Sequence, residues 1–291
     1  MSTTSLSTAV ITLNKGRGAH LARLLEGLAR GTPPDACVIV EMGGDDSPLP
    51  ALPFPVERVP FAGSGLPLAA ARNAGRRAAS AAASADTLVF LDVDCIPSAD
   101  LVAGLSAAVA ARDGLICCAV RYLPAGAVRD GWTEADLDRL GHLHPVRDFP
   151  EAGLVPAPKP GLFWSLAFAV RAATYDRLGG FDAEFSGYGA EDTDLAFRAD
   201  AAGLPILFLG GPRAYHQHHP GYDPPLQHFR DIVANASRFR ARHGLWPMDG
   251  WLDGFARLGL IAADRTDGIR VLRDPTPAET AAARLPDDRP F

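Results

Sequence analysis

The sequence has few charged residues and no concentrated positive charge. Asp, Glu, Lys and Arg make up 21% of its 291 residues, and its formal net charge is −6. It contains no dense tract of Lys or Arg, whereas proteins that bind nucleic acid usually carry clustered positive charge. We therefore expect no nucleic-acid partner. An anionic substrate would require local basic side chains or a bound metal ion.

Cysteines are also scarce, and their positions do not indicate a disulfide framework or a zinc site. Each of the four lies in or beside an apolar run, without the regular spacing of metal ligands. We predict that they are small buried apolar side chains. The four positions are Cys37, Cys95, Cys117 and Cys118.

No apolar run is long enough to span a bilayer, so we expect no transmembrane segment. Residues 1–8 also lack the basic and apolar regions of a signal peptide. These two absences favour a soluble protein of the cytoplasm. The sequence does not indicate an oligomeric state.

Apolar residues make up 47% of the chain, which is enough for a sizeable core. Short apolar runs typical of buried strands alternate with segments of helical spacing. This alternation predicts an α/β fold in which helices flank a mainly parallel sheet. Strands are predicted at 9–13, 37–40, 56–59, 88–92, 114–122, 162–170 and 204–209. Helices are predicted at 20–28, 68–85, 98–111 with Ser98 as its cap, 172–178, 191–201 and 225–242.

Two aspartates at the end of an apolar run are the most informative feature. Leu88 to Leu91 reads as a buried strand, and Asp92 and Asp94 follow it directly. Alternate side chains of an extended segment point the same way, so the two carboxylates could face one ligand. Ligands bind at this end of open α/β sheets, and oxygen ligands suit Mg²⁺ or Mn²⁺ holding a diphosphate. A structural alternative remains, in which Asp94 caps the next helix.

A second group of acids follows a glycine-containing turn at residues 187–194 (GYGAEDTD). A carboxylate near a metal-bound diphosphate could take the proton from an attacking hydroxyl group. The alternative is structural, because acids in a first helical turn interact well with the helix dipole. Asp194 could also pair with Arg198 at i,i+4.

Three histidines follow the last predicted strand, at His216, His218 and His219. Neutral imidazole is a good ligand for Mn²⁺-like ions, so this segment is a candidate metal site. The alternative is a hydrogen-bonding loop with no metal.

Five segments, in their order and spacing, resemble a known enzyme family. Four of them are similar to the N-terminal half of family-two-type glycosyltransferases, at residues 9–28, 37–46, 69–79 and 88–97. The fifth, at residues 179–198 (GGFDAEFSGYGAEDTDLAFR), resembles a C-terminal motif shared with galactosyltransferases and bacterial polymerising transferases.

The resemblance implies a GT-A fold, with a Rossmann-like sheet, as one domain over residues 1–270. We expect a nucleotide-sugar-binding half at 1–122, an acceptor and catalytic half at 123–224, and a helical extension at 225–270. Residues 271–291 are rich in Ala, Asp, Arg and Pro, which favours a mobile tail.

The resemblance also implies roles for single residues on the donor side. Asp94, Asp92 and His216 would hold Mn²⁺ or Mg²⁺, with His218 as second choice and His219 in a structural role. Glu41 stands where the family commonly has Asp, so Asp45 could compensate for it. The donor pocket would comprise Leu13, Asn14, Glu41, Asp45, Arg72, Asn73, Asp92 and Val93.

On the acceptor side, the resemblance implies that Asp192 is the general base and Glu191 contacts the acceptor. Trp164, Tyr188 and Gly189 would form walls for the sugar or acceptor, although Trp164 could equally be a core residue. The predicted activity is metal-dependent, inverting transfer of a hexose or N-acetylhexosamine. The donor would be a UDP-sugar, and the acceptor a hydroxyl group of a glycan or small molecule.

Two other functions remain open from the sequence. One is a non-catalytic relative that binds a nucleotide-sugar or glycan. The other is a Mg²⁺-dependent phosphohydrolase that uses Asp92 and Asp94, although such enzymes usually place their acidic pair on the first strand.

Overall fold

A computed structural model describes residues 6–44, 48–63 and 65–287. The strands are β1 (Thr8–Asn14), β2 (Ala36–Glu41), β3 (Val56–Pro60), β4 (Thr87–Leu91), β5 (Cys95–Pro97), β6 (Leu115–Tyr122), β7 (His142–Leu143), β8 (Gly153–Pro156), β9 (Ala167–Arg171) and β10 (Ile206–His216). The helices are α1 (Gly18–Arg30), α2 (Leu68–Ala83), α3 (Leu101–Ala111), α4 (Glu134–Leu140), α5 (Ala172–Arg177), α6 (Glu191–Ala201), α7 (Phe229–His243), α8 (Asp249–Arg257) and α9 (Pro277–Ala282).

One sheet runs through the molecule in the order β3-β2-β1-β4-β9-β6-β10-β5. The first four strands in this order are parallel, as the alternation of strands and helices predicts. Helix α2 packs against β1 and β2. It approaches closely at Gly75, where a Cβ atom would lie 2.4 Å from Cγ2 of Ile11. The carboxyl ends of β1, β2 and β4 therefore share one edge of the sheet.

The two faces of the sheet are covered by different helices, and each face has its own core. Apolar residues of α2 and α6 pack on one face, around Phe90 and Phe168. Those of α1 and α3 pack on the other, around Val89 and Ile116. The four cysteines are buried and free, as predicted. This three-layer α/β arrangement holds the strand ends in fixed positions.

The second half of the sheet is mixed, so the prediction of a mainly parallel sheet was correct only for its first half. Strand β9 runs antiparallel to both β4 and β6. Strand β10 is parallel to β6 but antiparallel to β5 and β8. A helical crossover returns the chain to the same end of the sheet, so the strands that it joins are parallel. The long connection before β9 has no such constraint, and β9 runs in the direction opposite to β4 and β6.

Two predicted boundaries near the site were wrong. Strand β10 does not end at residue 209 but continues to His216, with its register shifted between Leu209 and Arg213. The Gly-Gly-Pro sequence at residues 210–212 forms this irregularity instead of a turn. Helix α3 begins at Leu101, and Ser98 does not cap it, because Ser98 donates its hydroxyl hydrogen to Oδ1 of Asp100 (2.6 Å).

The C-terminal part adds a third core, in which α7 and α8 pack around Phe229 and Phe255. Helix α9 lies in the segment for which we expected a mobile tail. Its first turn has a capping box, formed by Thr276 and Glu279. The last four residues lie outside the described chain. Among the described helices, none combines the length and the apolar character needed to cross a membrane.

Candidate active site

The pairing of β5 with β10 builds a possible metal site beside the aspartate pair. His216 lies opposite Cys95 in the antiparallel register, and this brings it next to Asp94. Nε2 of His216 is 3.5 Å from Oδ1 of Asp94, and Nε2 of His219 is 3.5 Å from Oδ2. One potential ligand atom from each of these three residues lies within 4.8 Å of the other two.

The chemistry of these three side chains fits a divalent cation. Oδ1 of Asp94 is buried and has no hydrogen-bond partner among the described residues. Burial lowers the pKa of His216, and it lowers the pKa of His219 to about 4. Both imidazoles are therefore neutral at pH 7 and can donate a lone pair to a metal. One carboxylate and two imidazoles suit Mn²⁺ better than Mg²⁺, which prefers oxygen ligands.

The structure differs from the predicted ligand set at two positions. His218 points away from Asp94, and its Nε2 lies 3.9 Å from Oδ1 of Asp287, whereas His219 takes the place expected for His218. Asp92 does not join the group formed by Asp94, His216 and His219. The turn after β10 determines where the His218 and His219 side chains point. The spacing of apolar residues in the sequence does not predict the conformation of such a turn.

Arg17 supplies positive charge at this site. It donates a hydrogen bond to Oδ2 of Asp94. Burial alone would raise the pKa of Asp94, but His216, Arg17 and His219 together hold it below its ordinary value. The backbone is also fixed here, because the Gln217 N–H donates to the carbonyl of Asp94 (2.6 Å). An ionised carboxylate beside a guanidinium suits the binding of a metal and an oxyanion together.

Arg72 connects the aspartate pair to the second acidic group. Its guanidinium is buried and donates to Oδ1 of Asp92 (3.2 Å) and to Oε1 of Glu191 (3.1 Å). Burial, together with the charge of Asp94, raises the pKa of Asp92 to about 7 even though Arg72 opposes this. Burial and Asp192 likewise raise the pKa of Glu191. Residues that are 119 positions apart in sequence thus form one cluster.

Asp192 is half-buried at the start of α6, beside Glu191. Its Oδ2 accepts a long hydrogen bond from the Ser165 N–H (3.4 Å), and its Oδ1 accepts from the Thr193 N–H (2.6 Å). The carboxylate is therefore oriented by backbone donors, and it forms no ion pair with the residues that the structure describes. Such a group can accept a proton from a hydroxyl placed next to it. Sequence reasoning did not identify Ser165, because its backbone and not its side chain makes the contact.

The turn before α6 needs unusual backbone angles. Gly187 and Gly189 have φ values of +80° and +95°, and Ala190 has a φ of 70°. A side chain at Gly187 would meet the carboxylate of Asp231, and one at Gly189 would meet Met248. The turn therefore lies tightly against α7 and the segment before α8. Strained φ values in non-glycine residues such as Ala190 tend to occur at functional sites.

The predicted base-binding end of the donor pocket lies at the ends of β1 and β2. Nδ2 of Asn14 donates to Oε2 of Glu41 (2.8 Å), and Arg58 donates to Oε1 of the same carboxylate (2.6 Å). Sequence reasoning missed Arg58. Leu13 and Val93 are buried next to these strand ends. The expectation for Asp45 lies outside the described residues.

Asn73, expected in the donor pocket, forms its hydrogen bonds with the Gly-Gly-Phe segment and α5. Its amide donates to the carbonyl of Phe181 (2.7 Å) and accepts from the Phe181 N–H (3.0 Å). It also accepts from the Tyr175 hydroxyl group (2.6 Å). Asn73 thus holds the Gly-Gly-Phe segment against α2, while its neighbour Arg72 reaches the acids. A helix places adjacent side chains about 100° apart, which explains why the two residues separate.

Trp164 lies partly exposed on the wall of the site, one residue before Ser165. The His144 ring contacts its edge, with ring centroids 4.8 Å apart. The buried guanidinium of Arg147 lies 4.9 Å from the Trp164 ring, and its Nε and Nη2 have no hydrogen-bond partner in the described chain. Neither His144 nor Arg147 was expected from the sequence, because the stretch around them has no periodic pattern.

The central sheet and the helices that flank it have the GT-A fold that glycosyltransferases share. The predicted resemblance is confirmed in both sequence and structure. A family model described as the N-terminal domain of galactosyltransferase matches residues 159–220, which contain both Trp164 and the Glu191-Asp192 pair.

Two curated relatives are named validoxylamine A glucosyltransferase. They come from Streptomyces hygroscopicus subsp. jinggangensis (strain 5008) and subsp. limoneus, and each is 32% identical over 229 residues. The matches cover 71% of this chain, and 51% and 48% of the respective relatives. The chain thus spans about half the length of the curated relatives it matches.

Similar solved structures are more distant in sequence. GalNAc-T7 with UDP, GalNAc and Mn²⁺ has a TM-score of 0.52 at 15% identity, over 87% of this chain and 57% of that one. TarS of S. aureus has a TM-score of 0.53 at 12% identity, over 86% and 74%. A mannosyltransferase of Pyrobaculum calidifontis with GDP-Man and Mn²⁺ has a TM-score of 0.54 at 16% identity, over 84% and 67%.

Proposed function

We propose that this protein is a metal-dependent, inverting glycosyltransferase. It would move a hexose or N-acetylhexosamine from a nucleotide-sugar to an acceptor hydroxyl group. The observation that carries the proposal is the joined cluster around Arg72, which connects the aspartate pair at the end of β4 with the acids at the start of α6. The similarity to glycosyltransferases in sequence and in fold supports it.

Asp94, His216 and His219 would hold Mn²⁺ at the donor end of the site. When bound there, the metal would supply Lewis acidity that neutralises the leaving nucleoside diphosphate. Arg17 would add a donor for a phosphate oxygen, because its guanidinium already lies at this point. Two neighbours of similar fold were solved with Mn²⁺ and a nucleotide or nucleotide-sugar, which supports the choice of metal.

Asp192 would act as the general base. Inversion requires an acceptor hydroxyl to attack the anomeric carbon from the side opposite the leaving diphosphate, and its proton must go to a nearby group. The Ser165 and Thr193 N–H groups orient the Asp192 carboxylate for this task. Glu191 and Asp92, both bound to Arg72, would orient the acceptor and the donor sugar.

The donor would be a UDP-sugar, bound by Asn14, Glu41 and Val93 at the ends of β1, β2 and β4. The Glu41 carboxylate is already fixed by Asn14 and Arg58, so it can accept a hydrogen bond from the base or ribose without further ordering. We also propose a location in the cytoplasm.

Incubating the purified chain with a panel of nucleotide-sugars and Mn²⁺ tests this function. We expect slow release of the nucleoside diphosphate from one donor, which stops when EDTA is added and resumes with Mn²⁺. NMR of the transfer product with the donor so identified should show an anomeric configuration opposite to that of the donor. A retained configuration would contradict the mechanism, and no release from any donor would contradict the activity.

A further inference from the structure

A cleft of about 590 Å³ lies between the segment that leads into α7 and the segment that leads into α9. Tyr222, His228 and Asp231 line one side, and Asp274 and Thr280 line the other. All of these residues belong to the C-terminal region, to which the proposed catalytic steps assign no role. The size of the cleft suits a small-molecule ligand.

The cleft adjoins the catalytic turn through Tyr188. The Tyr188 ring stacks on His228, with centroids 4.4 Å apart and planes inclined by 14°. The Tyr188 N–H donates to Oδ2 of Asp231 (3.3 Å). Tyr188 also lies in the turn that leads into α6, three and four residues before Glu191 and Asp192, and burial raises the pKa of its phenol. The turn that precedes the proposed base therefore borders the cleft through the contact between Tyr188 and Asp231.

Beside His228, which lines the cleft, lie the rings of Tyr188 and then Trp251. The Trp251 ring lies 5.9 Å from that of Tyr188, and both side chains are only partly buried. Aromatic faces pack well against the C–H faces of sugar rings, and the polar Tyr and Trp edges can bind hydroxyl groups. The arrangement of Tyr188, His228 and Trp251 is therefore suited to a hydroxylated ring.

The charge of the cleft is negative. Arg230 and Asp274 bind each other, with 2.6 Å between Nη2 and Oδ2, so their charges cancel. Burial lowers the pKa of His228, which is therefore neutral at pH 7. Asp231 contributes a carboxylate that is 43% exposed, and its ion-pair contact among the described residues is with this neutral imidazole, at 4.0 Å. A carboxylate or phosphate group on a ligand would be repelled, and an ammonium group would be attracted.

We propose that this cleft and Tyr188 form the acceptor site, and that the acceptor is a hydroxylated ring that is neutral or carries an ammonium group. The proposal rests on the proposed glycosyltransferase function. It assigns the C-terminal region to acceptor selection, with Asp231 as the residue that discriminates by charge. The Asp231 carboxylate would bind ligand hydroxyl or ammonium groups, while Tyr188 would direct one hydroxyl group towards Asp192.

Ligand-observed saturation-transfer NMR on the full chain tests the proposal, with UDP and Mg²⁺ present at pH 7. The probes are methyl glucoside, glucosamine and glucuronate, which differ mainly in charge. We expect methyl glucoside and glucosamine to bind, and glucuronate to bind at least about tenfold more weakly. Asp231→Asn should raise the dissociation constant of glucosamine about tenfold and that of methyl glucoside less than about twofold.

Two further variants test whether the cleft binds these sugars: one changes the ring surface, and the other is a control outside the cleft. His228→Ala should weaken both binding sugars about tenfold, because it removes part of the ring surface. Asp176→Asn is the matched control, since Asp176 is an exposed carboxylate on α5 that pairs with Arg76 of α2, and it should change the binding of neither sugar. Glucuronate binding as tight as that of methyl glucoside would overturn the proposal, and so would unchanged glucosamine binding in Asp231→Asn.

Calorimetry of UDP with each variant separates this proposal from the proposed function. We expect UDP affinity to remain the same in all three variants, because none of the residues lies at the donor end. If UDP binds but none of the three sugars does, the acceptor proposal alone fails. If UDP and the nucleotide-sugar donors also fail to bind, the glycosyltransferase function fails, and the acceptor proposal fails with it.

Discussion

Single residues divide the site into two chemically different parts. Asp94 faces two neutral imidazoles and Arg17, which suits a metal and an oxyanion. Asp92 instead faces Arg72, although it is only two positions away in sequence. The two aspartates therefore contact different neighbours, and we expect Asp94 but not Asp92 to be a metal ligand.

Replacement of His219 should weaken metal binding more than replacement of His218. His219→Gln removes a nitrogen that lies 3.5 Å from Asp94, whereas His218 lies against Asp287. We expect the Mn²⁺ affinity of the UDP-bound chain to fall at least about tenfold in His219→Gln and less than about twofold in His218→Gln. Calorimetric titration with Mn²⁺ measures both values. Equal losses in the two variants would contradict the assignment.

The metal-free chain should lose stability in mild acid. The pKa of His219 is about 4 in the folded chain, mainly because burial disfavours its charged form, and about 6.5 when unfolded. The unfolded state thus binds more protons between these values, so stability falls as the pH drops from 7 to 4. We expect His219 to contribute about 2 kcal/mol of this loss, less than the full shift implies because the ring is partly exposed.

Urea unfolding at pH 7.5 and pH 4.5, with EDTA present, measures this effect. In His219→Gln the difference between the two pH values should be smaller by about the same amount. An identical pH dependence in the wild-type chain and in the variant would contradict a buried, neutral His219.

The sequence predicts those candidate site residues whose proposed role depends on residue type and local spacing. Asp94, Asp192 and His216 follow from motifs, since each lies just beyond a predicted strand or at a predicted helix start. The placement of the His219 and Asn73 side chains differs from the prediction, because their directions depend on a turn and on packing against Phe181. Such contacts join distant parts of the chain, and periodicity contains no information about them.

At the scale of secondary-structure elements, α6 is fixed by a buried carboxylate. Asp194 is fully buried and accepts from Nε of Arg198 (2.8 Å), Nη1 of Arg242 (2.8 Å) and Nε2 of His243 (2.9 Å). The last two residues belong to α7. Arg198 also donates to the carbonyls of Leu178 and Gly180. The C-terminal extension therefore helps to position the helix that begins with Glu191 and Asp192.

Asp194→Asn should destabilise the whole chain. The substitution removes the negative charge that faces Arg198 and Arg242 in a buried site, and we expect a loss of about 3 kcal/mol in the free energy of unfolding. Chemical denaturation followed by far-UV circular dichroism measures it. Glu184→Gln is the matched control, because Glu184 forms an exposed pair with Arg238 and should cost less than about 1 kcal/mol. Similar losses in both variants would contradict the anchoring role of Asp194.

Most helices and strands could be predicted from local sequence, but the irregular elements could not. The predicted helix at 191–201 coincides with α6, and the first two strands differ from the prediction only at their ends. Strand β10 was cut short in the prediction because Gly210, Gly211 and Pro212 are typical of turns. In the structure, pairing with β5, β6 and β8 stabilises the strand across this interruption.

At the scale of the whole molecule, the candidate site lies where three regions meet. The first strands contribute Asp92 and Asp94, α6 contributes Glu191 and Asp192, and the C-terminal core supports the turn at Tyr188. The helical crossovers of the first half predict parallel strands and a site at their ends. The position of β9 between β4 and β6 could not be predicted, because strand order depends on contacts across the whole chain.

The central claim is that Asp192 removes the proton of the acceptor hydroxyl group, whereas other residues, among them Asp94 and His216, bind the donor. The most direct measurement compares the wild-type chain with Asp192→Asn, using the nucleotide-sugar and acceptor found by screening. We predict that kcat falls at least about a thousandfold while the dissociation constant of UDP with Mn²⁺ changes less than about twofold. A variant that turns over within about threefold of the wild-type rate would contradict the account.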